Sequence, residues 1–185
     1  VADVLFGDYN PSGKLPITYP IDEAQLPLNY SHKPTGRSDD YLNLTGEPLF
    51  PFGYGLSYSE FDYRDLKIES VPGYTSYKVS FTVKNTGKYP ANEVVQLYLL
   101  DKVASVTQPI TRLIHFEPVP LAPDETRKVS FQITEEDLSM LDKDMNRVVE
   151  PGDFRIMVGR SCKDIRLKGT IHQQSKINLG TISQP

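Results

Sequence analysis

From residue 61 onward, apolar and polar side chains alternate along the chain. Tyr77, Val79, Phe81 and Val83 interleave with Lys78, Ser80, Thr82 and Lys84, which gives a strand one apolar and one polar face. Asn85-Thr86-Gly87-Lys88 reads as a turn, and Val94 to Leu100 is a nearly continuous apolar run suited to a central strand. Further strands are predicted over Arg112 to Val119, Lys128 to Ile133, Phe154 to Val158 and Ile165 to Ile171. Turn signals at Leu121 to Glu125 and Glu150 to Asp153 separate them. About seven short strands in roughly 110 residues is the spacing of an immunoglobulin-like β-sandwich. One helical turn is predicted at Thr134 to Leu138, with Thr134 as cap and Asp137 three residues on. Beyond about Gln173 the chain is polar and aperiodic and reads as a tail.

The chain before residue 61 has another texture. Gly7-Asp8-Tyr9-Asn10-Pro11-Ser12-Gly13 is a compact cluster of breakers, and Pro16, Pro20, Pro27, Pro34, Pro48 and Pro51 follow at short intervals. Between them only Lys14 to Tyr19 reads as a strand, and Val1 to Phe6 as a helix end stopped by Gly7. So few regular elements cannot close a core. The segment is expected to belong to a larger domain or to lie as an extended wrap on its neighbour. The chain opens directly on Val1-Ala2-Asp3, without an initiator Met or a basic-then-apolar leader, and reads as a processed or cut fragment.

Charge and composition exclude several roles. The 185 residues carry 20 Lys+Arg against 24 Asp+Glu, a formal net charge of −4, which argues against nucleic acid or an anionic membrane surface as main partner. No apolar run approaches the roughly 20 residues of a membrane span. Cys162 is the single cysteine, so no internal disulfide forms, and His32, His115 and His172 join it at no recognisable zinc spacing. Gly53-Tyr54-Gly55 lacks the further glycine or Gly-Lys-Ser of a phosphate loop and reads as a glycine-permitted bend. Asp142 to Asn146 has the alternating acids of a calcium loop but Arg147 in place of the needed Gly, and reads as a hairpin turn. Arg160, Lys163, Arg166 and Lys168 read as an exposed basic strand face, and Cys162 as an inert thiol. His115 is expected to face solvent with no acid partner. The sequons Asn29-Tyr30-Ser31 and Asn43-Leu44-Thr45 matter only in a eukaryotic secretory pathway.

The sharpest motifs are Gly7-Asp8-Tyr9-Asn10-Pro11-Ser12-Gly13-Lys14-Leu15-Pro16, Lys33-Pro34-Thr35-Gly36-Arg37 and Pro48-Leu49-Phe50-Pro51-Phe52-Gly53-Tyr54-Gly55-Leu56-Ser57-Tyr58. In this order they closely resemble the C-terminal part of glycoside hydrolase family 3 enzymes, especially bacterial β-glucosidases. Val94 to Tyr98, Val119 to Pro123 and Glu150-Pro151-Gly152 extend the resemblance along nearly the whole chain. Ile114-His115-Phe116 departs from it, since relatives tend to carry Lys-Gly before the Phe. The resemblance implies a mainly β chain. Residues 1–60 would be an irregular remnant of an α/β-sandwich domain with its aromatic linker, 61–173 a fibronectin type III-like sandwich, and 174–185 the tail.

For chemistry, the resemblance implies a retaining mechanism with an Asp nucleophile on a barrel domain and a Glu acid/base on the second domain, both upstream of Val1. Such a pair stands about 5 Å apart across the sugar, and none of the motifs that carry it occurs here. No catalytic residue, cofactor or metal is therefore expected in this chain, which alone should be inactive. Its implied partners are the upstream catalytic domains of the same polypeptide and, through the parent enzyme, a β-glucoside, in the periplasm or outside the cell. Phe50, Phe52, Tyr54, Tyr58 and Phe61 are the candidate contact residues, as glue between domains or as a surface against which a pyranose stacks. The rival reading is an autonomous carbohydrate- or protein-binding sandwich. The absence of Trp weighs against a dedicated sugar platform, and 11 Tyr keep one open.

Overall fold

In the computed structural model of the protein, which describes residues 1–34, 45–72 and 74–181, the alternating stretches form antiparallel strands. Thr35-Gly36-Arg37, Asn43-Leu44 and the stretch 182–185 lie outside the described residues. One sheet has the order β1-β2-β5, from Phe61–Ser70, Tyr77–Asn85 and Thr126–Ile133. The facing sheet has the order β4-β3-β8-β9, from Arg112–Leu121, Ala91–Asp101, Gly152–Gly159 and Ile165–Gln173. Inward positions meet in one core, with Phe61, Val79, Phe81 and Phe131 on one side and Val95, Leu97, Phe154 and Ile156 on the other. This is the sandwich expected from the strand spacing.

Strand β3 explains its own composition. It lies between β4 and β8, and Val95 through Leu99 are all buried, so both of its faces are covered. One face meets the core. The other, carrying Gln96 and Tyr98, lies beneath the segment that precedes β1, which is why this strand lacks the polar face of its neighbours. At the sheet edge, Pro118 and Pro120 of β4 pair with Val94 and Asn92 of β3. Proline withholds an N–H from the free side, which suits an edge strand.

Four expectations are corrected. The sandwich proper is joined by a third small sheet of order β10-β7-β6, from Ile177–Thr181, Asn146–Val149 and Met140–Leu141. These strands are too short to show a period, and the stretch after Gln173 contains a paired strand at Ile177–Thr181. Lys14 to Tyr19 forms no strand: it bends at Pro16 and Ile17, and its backbone bonds to residues 49–54 at Leu15 and Tyr19 only. His115 does not simply face solvent. Leu97 pairs with His115 but Tyr98 with Leu113, so Ile114 is an extra residue that reverses the alternation. The His115 ring then stacks on Phe131, with centroids 5.8 Å apart, and its Nε2 lies 3.2 Å from Asp137 Oδ2. The basic strand face is also largely neutralised, since Arg160, Lys163 and Arg166 pair with Glu93, Glu47 and Asp164.

Two local signals act as expected. Helix α1, Ala2–Phe6, stops at Gly7, whose φ of 87° is left-handed. Helix α2, Glu135–Leu138, starts after Thr134, whose backbone N–H donates to the Asp137 carboxylate at 2.8 Å.

Candidate functional site

A segment as rich in Pro and Gly as residues 45–60 cannot satisfy its backbone within itself, so it finds partners elsewhere. The Leu15 N–H donates to Tyr54 O and the Gly53 N–H to Leu15 O, both at 2.8 Å. The Cys162 N–H donates to Phe52 O at 3.1 Å. From the sandwich, the buried amide Nε2 of Gln96 donates to Gly53 O at 3.0 Å and to Arg160 O at 2.7 Å, while Tyr98 Oη donates to Gln96 Oε1. Burial raises the pKa of the Tyr98 phenol, which stays a donor. Asn10, in the first motif, donates to Pro90 O and accepts from Ser57 Oγ and the Tyr58 N–H. One side chain thus ties the breaker cluster, the linker and the sandwich together.

The two glycines of Gly53-Tyr54-Gly55 have distinct tasks. Gly53 has φ 81°, and a Cβ on it would stand 2.1 Å from Gln96 Oε1. A Cβ on Gly55 would stand 2.3 Å from Gly13 O and 2.9 Å from Lys14 Cδ. Each allows a backbone approach that no other residue permits.

The five candidate aromatics are dispersed along this seam. Phe52 stacks on Tyr30, with centroids 3.9 Å apart and planes 11° apart, and Tyr30 meets Tyr98 edge-on. Phe50 contacts Tyr19 and Tyr54. Tyr58 lies against Tyr89 and donates its hydroxyl to Val4 O. Phe61 is 4% exposed, inside the sandwich core, with the Arg160 guanidinium 5.6 Å from its ring centre. Phe50 and Tyr54 are brought together; Phe52, Tyr58 and Phe61 each pack elsewhere.

The sequence reading did not single out Glu93. It is buried, accepts from Tyr63 Oη at 2.9 Å and Arg160 Nε at 3.2 Å, and lies 3.8 Å from Lys14 Nζ. The signal was present in the period of two: Glu93 shares its face with Val95, Leu97 and Leu99, so an acid at that position points inward.

Other chemistry is limited. Among the described residues no cluster of three or more His, Cys, Asp or Glu is placed to hold a metal ion, and no helix is long and apolar enough to cross a membrane. Burial pushes the Cys162 thiol up to about 11 from an ordinary 9.0. An alkylating reagent at pH 8 should therefore modify folded Cys162 about a hundredfold more slowly than the denatured chain, because only the thiolate reacts. Equal rates in the two states would mean that the thiol is not desolvated. A cleft of about 780 Å³ separates Leu5, Phe6 and Tyr9 from Tyr89, Pro120 and Leu121 of the sandwich.

Residues 1–58 match the glycosyl hydrolase family 3 C-terminal domain, and residues 93–162 match the fibronectin type III-like domain. A periplasmic β-glucosidase of Salmonella typhimurium is 42% identical over 171 residues, covering 86% of this chain and 22% of its own length. A β-xylosidase of Formosa agariphila is 42% identical, covering 91% of this chain and 24% of its own. The crystal structure of a β-glucosidase from Listeria innocua in complex with glucose superposes with a TM-score of 0.87 at 35% identity, over 94% of this chain and 26% of that one. The chain thus spans about a quarter of the length of the relatives it matches. A seam that joins the end of one domain to a fibronectin type III-like sandwich, matched on both sides and along nearly all its length, shows that the chain belongs to glycoside hydrolase family 3 and corresponds to its C-terminal region.

Proposed function

We propose that this chain is the non-catalytic C-terminal region of a retaining β-glucosidase, and that the sandwich supports the catalytic domains by holding the linker that leaves them. The observation that carries the reading is the seat of the linker: Gly53 and Asn10 are bonded to the sandwich at Gln96 and Pro90, and Phe52 is stacked on Tyr30, which meets Tyr98. Rings spent on one another in this way act as glue, whereas a sugar platform needs open, coplanar faces.

The division into 1–60, 61–173 and 174–185 follows this reading, with the third part adding strand β10 to the small sheet. Leu5, Phe6, Ile17 and Leu26 are exposed in the first part. Apolar surface of that kind suits packing against further protein, here the upstream domains of the same polypeptide. The whole protein then hydrolyses terminal β-D-glucosyl residues with two carboxyls from those domains, in the periplasm or outside the cell, as the name of the Salmonella relative suggests.

The test is hydrolysis of aryl β-glucoside, and of aryl β-xyloside because one relative is a β-xylosidase, by this chain alone and by the intact polypeptide. Turnover of the glucoside by the intact polypeptide only is the expected result. Turnover by this chain alone would place a catalytic carboxyl pair in it and overturn the reading.

A further inference from the structure

Lys14 follows a cluster of turn formers, where a lysine normally reaches into water, yet its side chain is 13% exposed and runs toward Glu93. Glu93 is 1% exposed. A carboxylate so far from water is tolerated only with several compensating donors. Tyr63 from β1 and Arg160 just after β8 supply two, both from within the sandwich. Lys14 adds its charge from outside the sandwich, from the far N-terminal part of the chain. Burial lowers the pKa of its ammonium and Glu93 draws it back up, as for a cation held by its partner rather than by solvent. The path is open because Gly55 has no Cβ to meet Gly13 O and the Lys14 stem.

We propose that Lys14 and Glu93 form a buried charge lock, threaded through the gap at Gly55, that fixes where the segment preceding β1 joins the sandwich. The inference rests on the proposed function only in taking that segment as the end of a catalytic domain. Lys14 is in this sense a positioning residue: it acts through Glu93 on the course of the chain. The Cys162 amide, in the turn between β8 and β9, donates to Phe52 O across the same seam, so its hydrogen exchange reports whether the lock is closed.

The experiment is hydrogen exchange on the intact polypeptide. Lys14→Met keeps the apolar stem and removes the charge, and should speed exchange at the Cys162 amide about tenfold. Glu93→Gln should speed it at least as much, since it also weakens the Tyr63 and Arg160 contacts, and the double variant should be no faster than Glu93→Gln alone, because the Lys14 interaction is already gone. Lys14→Arg should stay within about threefold of the parent, since it keeps the charge. Gly55→Ala should open the seam with both charges intact.

Unchanged exchange in Lys14→Met, or a double variant as fast as the product of the two singles, would overturn the lock. Should Glu93→Gln fail to fold, the contrast between Lys14→Met and Lys14→Arg decides alone: similar acceleration in both overturns the lock. Exchange reads the lock whether or not the polypeptide hydrolyses aryl β-glucosides, so loss of the enzymatic reading and loss of the lock are separate results.

Discussion

Phe81→Ala should destabilise the protein by about 3–5 kcal/mol, the range for truncating a fully buried aromatic side chain. Phe81 is 1% exposed and sits between the rings of Tyr63 and Phe131, at centroid distances of 6.2 and 6.1 Å. Its strand β2 is the middle of its sheet, laddered to β1 and β5 along most of its length. Neither neighbour can close in without breaking those ladders, so the vacated volume persists as a cavity rather than collapsing. Denaturant unfolding checks the value, and thermal melting should fall by roughly 10 °C for a chain of this size. A loss under about 1.5 kcal/mol would mean that the core relaxes into the space.

Gly53→Ala should cost about 3 kcal/mol, although it adds only one methyl group. Part is backbone: φ 81° is open to glycine and strained by about 1 kcal/mol or more for alanine. The rest is overpacking of about 1–3 kcal/mol, because the new carbon would meet Gln96 Oε1 at 2.1 Å and Tyr98 Oη at 2.9 Å. The end of a glutamine usually yields to such a contact. Gln96 cannot do so cheaply, since its amide is bonded to Gly53 O and Arg160 O and its carbonyl to Tyr98 Oη, and a buried amide that loses partners carries its full desolvation cost. Denaturant unfolding measures the effect. A change within about 0.5 kcal/mol, the range of ordinary surface substitutions, would show that the linker shifts freely on β3 and that its seat is loose.

The sandwich was legible in the sequence because a half-buried strand writes its own orientation locally. Every second residue is apolar from Tyr77 to Val83 in β2 and from Val129 to Ile133 in β5. The stop of α1 at Gly7 and the Thr134 to Asp137 pairing were legible for the same reason: each depends on residues within one turn. The family motifs pointed in turn to the C-terminal region of glycoside hydrolase family 3.

Only the tertiary structure decided what covers the second face of β3. The apolar run from Val94 to Leu100 announces burial on both sides, but not that the cover is Gly53, far earlier in the chain and held by Gln96. The bulge at Ile114 turns His115 toward Asp137 against the plain alternation, and Ile177–Thr181 becomes a strand because β7 offers it a free edge. Glu93 falls in the same class: its inward direction follows from a period of two, while Tyr63, Arg160 and Lys14 are chosen by the fold. Local patterning sets which groups leave water. Which groups then compensate them is settled between segments far apart in the chain, where no short-range pattern carries the information.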